Sequence, residues 1–159
     1  MVSANDRGRR RRNVLGAILA GGFTAATLDF FAAMLIYHGT ASGVAKAVAR
    51  GWFGEGAKAG GTNIEVVGMA SHWGILLTAA SIFVLTSLRF PVLRHRAWIT
   101  GPLFGICIYG VMHYVIVPLS AVHRVINPKG FQFMDEFAGH MLVIGLPIAL
   151  WSRAILGED

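Results

Sequence analysis

The stretch VLGAILAGGFTAATLDFFAAMLIY, residues 14–37, decides the fold: 24 residues with a single acidic or basic side chain, Asp29. A helix rises about 1.5 Å per residue, so about 20 apolar residues cross a hydrocarbon layer of about 30 Å. Three more apolar runs follow, at 64–88, 98–117 and 137–151. The fourth is short and is expected to extend upstream through Phe133 and Met134 and downstream through Ala154 and Leu156, with Asp135 and Glu136 at headgroup level. The expected fold class is all-α: a four-helix transmembrane bundle, one domain over 14–156 behind a basic tail at 1–13.

Composition agrees with lipid as the solvent. The 159 residues are 55% hydrophobic and 14% charged, and mean hydropathy is +0.59, against the roughly one-quarter charged content usual in soluble domains. Arginines at 9–12 ahead of an apolar run resemble a signal sequence. However, a signal core runs about 7–15 residues to a small-residue cleavage site, and this run continues to Tyr37, so a retained anchor is expected.

Basic residues orient the spans. With the N-terminus inside, Arg7, Arg9, Arg10, Arg11, Arg12, Arg89, Arg94, Arg96 and Arg153 fall on the cytoplasmic face, nine of the fourteen; Lys46, Arg50, Lys58, Arg124 and Lys129 fall outside. The connection holding Arg89, Arg94 and Arg96 has no acid, the kind of short loop that counts most in the positive-inside rule. The expected location is a bacterial inner membrane, with both termini cytoplasmic. The net charge of +6 then reflects topology and attraction to anionic headgroups. Membrane lipids are the expected partners, with a second copy or another membrane protein as the alternative, and nucleic acid is not expected.

Local signals place the boundaries. Thr62 and Glu65 have capping-box spacing at the start of the second span. Pro102 is expected in the first turn of the third span and Pro118 at its close. Pro147 lies inside the fourth, where it should free a carbonyl near Val143 and bend the helix. The outer loop, 38–61, is too polar to cross. Within it Val44, Val48 and Trp52 recur every four residues, which suits a short interfacial helix in the headgroup plane or dipping into the bundle. Asn127, Pro128 and Gly130 mark a turn.

Ionisable groups inside spans are costly and mark either pairing or function. Asp29, His72, His113 and His140 are such groups, one on each span. Gly22, Ala26 and Ala33 share the helical stripe of Asp29, Gly68 and Ala79 that of His72, and Gly105 and Tyr109 that of His113, so each should face neighbouring helices. Glu136 lies one turn before His140. Counted from the outer ends, the four sit about 6–12 Å deep, so one layer could hold Asp29, His72, Tyr109, His113, Glu136 and His140.

Three chemistries fit such a layer. The groups can act as interhelical glue. They can handle protons, since histidine titrates near neutral pH and the layer faces the outer solution. They can also hold haem or a divalent metal, although no span carries an HxxxH, ExxH or CxxCH spacing. Cofactors are therefore expected to be none, with haem or a divalent metal as the alternative. No catalytic residue is read, for the chain has no nucleophile elbow, phosphate loop or dinucleotide fingerprint. Cys107 stands alone and reads as a packing residue.

The stretches Ala70-Ser71-His72-Trp73, Met112-His113-Tyr114, Val117-Pro118-Leu119, Glu136-Phe137-Ala138-Gly139-His140 and Trp151-Ser152-Arg153 resemble the YagU-type family of bacterial inner-membrane proteins. Thr27-Leu28-Asp29 and the run at 145–150 resemble a broader set of small four-span proteins. The resemblance implies the four-span fold and an association with acid resistance, and no catalytic residues. This chain departs from the pattern in a shorter first outer loop and a longer arginine tail. The expected function is that of a small integral membrane protein whose Asp/His layer responds to external pH. Its alternatives are a structural or assembly partner of a membrane complex and a haem or metal binder.

Overall fold

The computed structural model describes residues 4–123 and 130–157; the basic residues Arg124 and Lys129 and the turn expected at Asn127 and Pro128 lie outside them. Among the described residues the regular structure is helical throughout, without strands. The elements are α1 (Ala4–Ile36), α2 (Ala41–Phe53) with a 3₁₀ turn (Gly54–Ala59), α3 (Thr62–Arg89), α4 (Val92–His95), α5 (Ala97–Val111), α6 (Val117–Leu119), α7 (Phe131–Gly139) and α8 (Leu146–Leu156). Two π-helical segments join these pieces into longer rods: Met112–Ile116 links α5 to α6, and His140–Gly145 links α7 to α8. Four helices are long and apolar enough to cross a membrane: Asp6–Ile36, Thr62–Arg89, Ala97–Leu119 and Phe133–Leu156.

The core mixes many alanines with a few large apolar side chains, Leu76, Phe83, Ile144 and Ile148 among them, while many other large apolar side chains lie outside. Ala17, Ala25, Ala26, Ala79, Ala80, Ala97 and Ala149 are buried, whereas Leu19, Phe23, Phe31, Ile82, Leu85, Leu103 and Leu142 are exposed. This arrangement suits helices solvated by lipid, because burying leucine away from hydrocarbon gains nothing while close backbone approach gains dispersion. α1 is central. A Cβ on Gly22 would sit 3.0 Å from the backbone of Leu77 in α3, and one on Gly21 would sit 3.3 Å from that of Ile148 in α8. On the far side α5 packs against the fourth rod and barely meets α3.

Each π segment ends just before a proline. Pro118 follows Met112–Ile116, and Pro147 follows His140–Gly145. Proline offers no N–H to the carbonyl one turn back, and its ring collides with that carbonyl. A wider turn moves the carbonyl aside and keeps the rod continuous, as single-turn π-bulges do. The bend expected at Pro147 is thus taken up as a π turn, and Pro118 sits inside the last turns of its rod. Pro102 falls one turn deeper than expected, because the helix starts at Ala97.

The interfacial helix expected in the first outer loop is present as α2, yet it buries a different stripe. Val44, Ala45 and Ala49 are buried while Trp52 is 68% exposed. The reason is Gly68: with no side chain there, the backbone of Ala45 rests directly on α3. Thr40 caps α2 by accepting from the Gly43 N–H at 3.1 Å. The capping box at Thr62 does not form, since Gly61 takes the cap position. Glu65 instead accepts from Ser42 Oγ at 2.6 Å and pairs with Lys46 Nζ at 3.4 Å, tying α2 to α3. Trp52 Nε1–H adds a bond to Ser71 Oγ at 2.9 Å.

Glu55 anchors the turn after α2, bonded by Arg50 and by Lys58 Nζ at 2.6 Å. The Lys58 bond, with Arg50 beside it, holds this exposed carboxyl below the ordinary glutamate value of 4.5. A lowered carboxylate contributes its stability above the ordinary value and loses it as pH falls through the lowered one. Amide protection in residues 54–59 is therefore expected to be constant at neutral pH and to decline below about pH 4.5. In Glu55→Gln the same segment should exchange faster at neutral pH and show no acid-dependent step, as hydrogen exchange would record.

The opposite end of the bundle holds a staple. Arg94 reads in the sequence as one of three loop cations, yet it is only 5% exposed. Its Nη1 donates to the Ser87 carbonyl at 3.1 Å, and Ser87 Oγ lies 3.2 Å from Ser152 Oγ. One arginine thus joins α4 to the α3–α8 contact.

Candidate functional site

Asp29 on α1, His72 on α3, Tyr109 and His113 on the α5 rod, and Glu136 and His140 on the fourth rod all face the interior. His72, Glu136 and Tyr109 are buried, and Asp29, His113 and His140 are half-buried. The structure brings the six into one level near the α2 end, in two adjoining clusters.

In the first cluster His72 Nε2–H donates to the Ala26 carbonyl at 3.0 Å, with Asp29 Oδ2 at 3.8 Å from the same nitrogen. Phe30 and Trp73 wall the imidazole, with ring centroids at 5.7 and 5.1 Å. Gly22 and Ala26 make this possible. They let α1 and α3 approach closely enough for a histidine on one helix to reach a carbonyl on the other.

In the second cluster His113 Nδ1–H donates to the Tyr109 carbonyl at 3.1 Å, and its Nε2 lies 3.0 Å from Glu136 Oε2. Tyr109 stacks on His113 with centroids 4.1 Å apart and meets His140 edge-on at 5.2 Å. Phe137 closes the side at 5.5 Å from Tyr109. The His140 Nδ1–H donates to the Glu136 carbonyl at 2.8 Å. Asp29 joins the clusters electrostatically, interacting with His140, His72 and Glu136.

Glu136 corrects the sequence reading. The sequence places it both at headgroup level and in the layer on the face of His140; it is 8% exposed, away from headgroup level, and its carboxylate meets His113 on the neighbouring rod. The cause lies in the backbone. Gly105 packs directly on the backbone of His140 and Met141, drawing the fourth rod over α5 so that the carboxylate meets the imidazole. The sequence shows each ingredient, the Gly101/Gly105 pair and Glu136, but not that they meet. The aromatic walls Phe30, Trp73 and Phe137 were also missed, although each adjoins a site residue or lies one turn from one. His38 and His123 lie apart from the layer, exposed in turns with φ of 48° and 51°.

The hydrogen bonds fix where protons reside. All three layer histidines spend one ring N–H on a helix carbonyl, and a carbonyl can only accept. The other ring nitrogen of each is left to exchange a proton. At His113 that nitrogen faces a carboxylate, so with no proton between them two lone pairs would oppose each other. One proton therefore sits in the 3.0 Å gap, on the imidazole beside a carboxylate or on the carboxyl beside a neutral imidazole. Either way the pair is neutral overall, the state that costs least in a low-dielectric interior. Among the described residues no three His, Cys, Asp or Glu side chains converge as a metal-holding group. No family model, curated protein or solved structure matches this chain.

Proposed function

We propose that the protein is a proton-responsive membrane bundle, in which Asp29, His72, His113, Glu136 and His140 exchange protons with the outer solution and thereby alter how the four rods pack. In this reading both termini are cytoplasmic, the α2 end faces outward, and the chain is a YagU-like protein of a bacterial inner membrane serving acid tolerance. The observation that carries it is the His113–Glu136 pair, a part-buried contact whose geometry requires one transferable proton and which bridges two rods. Histidine is the side chain whose charge changes between about pH 5 and 8, so the layer would respond over the range in which an outer compartment acidifies. Asp29 extends the response to the first cluster, its Oδ2 lying 3.8 Å from His72 Nε2.

The test is histidine titration by ¹⁵N NMR in lipid nanodiscs. A His113 transition coupled to Glu136 is expected, with a midpoint that moves in Asp29→Asn and in Glu136→Gln. A transition that ignores both variants would reduce the layer to interhelical glue.

A further inference from the structure

At the end opposite the polar layer, α1 continues through Arg7, Arg9, Arg10, Arg11 and Arg12, all exposed. At about 100° per residue, Arg7, Arg10, Arg11 and Val14 fall on one stripe, and Arg9 and Arg12 on the opposite side. The stripe and Leu88 of α3 line a hollow of about 400 Å³. Three guanidiniums thus stand over a floor of two apolar side chains, where two spans emerge from their apolar stretches.

We propose that this hollow binds the headgroup of an anionic phospholipid, its phosphate on Arg7, Arg10 and Arg11 and its glycerol and first methylenes on Val14 and Leu88. Guanidiniums match phosphate oxygens in paired, planar hydrogen bonds. The apolar floor selects the source: a free phosphate has nothing to place on Val14 and Leu88, whereas a lipid presents its acyl end there. Basic hollows between membrane helices are suited to anionic headgroups for this reason. The site is independent of the polar layer.

Native mass spectrometry of the full chain in micelles doped with phosphatidylglycerol tests it by comparing two variants that each remove two charges. Arg7→Gln/Arg10→Gln is expected to lower retained lipid about tenfold more than Arg9→Gln/Arg12→Gln, because only the first pair lines the hollow, while general attraction falls equally in both. Circular dichroism confirms that both variants stay folded. Equal losses would overturn the proposal, leaving only diffuse attraction. Inorganic phosphate that displaces the lipid at concentrations comparable to phosphatidylglycerol would overturn it too, by showing a free-anion site. Leu88→Asn should shorten lipid retention, and unchanged retention would overturn the proposal by showing an anion site with no apolar floor.

Discussion

Glu136→Leu is expected to cost about 1–3 kcal/mol of bundle stability, the penalty for leaving a buried polar atom without its hydrogen-bond partner. His113 would keep its bond to the Tyr109 carbonyl, and Nε2 would face leucine with no partner. Glu136→Gln separates this structural loss from the proton chemistry. With Nδ1–H spent on the carbonyl, neutral His113 offers a lone pair at Nε2, and a glutamine amide can donate to it. That variant should remain within about 1 kcal/mol of the parent, one ordinary hydrogen bond replacing another, and should have no transferable proton in the gap. Unfolding in mixed micelles measures the first effect, and the carboxyl and imidazole bands of infrared difference spectra measure the second. If glutamine destabilises as much as leucine, the pair is an obligate ion pair and not a shared proton.

The same contact shows what the sequence could and could not reveal. Span count and helix class were legible because hydrocarbon imposes a length and an apolar composition that no soluble helix needs, and the four runs meet both. The inward direction of Asp29 and His72 was legible too, since Gly22, Ala26 and Gly68 mark the faces along which backbones close up. Partner choice was not. Glu136 lies one turn from His140 in the chain, and helical periodicity says nothing of a neighbouring rod's height. That height depends on Gly105 meeting His140 backbone to backbone and on two π turns, each adding a residue to the register ahead of a proline. Arg94 escaped for a related reason: a cation in a short connection reads as solvated until the fold places Ser87 and Ser152 around it.

Gly145→Val should be strongly disruptive although it lies outside the polar layer. A Cβ at this position would overlap the Gly101 carbonyl and the Gly105 backbone, so the clash is with main chain on the facing rod and no rotamer relieves it. Overpacking against side chains costs about 1–3 kcal/mol. Against backbone that cannot swing away the cost is expected at or above the upper end, about 3 kcal/mol, and the rods must part. Their separation carries a second consequence, because the closeness of Gly105 to His140 brings Glu136 to His113. Gly145→Val is therefore expected to abolish the coupled His113 transition along with stability, although position 145 carries no titratable group. Gly74→Val is the control: a Cβ on Gly74 meets nothing within 4 Å, so the added bulk should be tolerated and the transition kept. A coupled transition that survives in Gly145→Val would mean that the polar layer is held together by its own bonds, and that the glycine seam between the third and fourth rods only fills space.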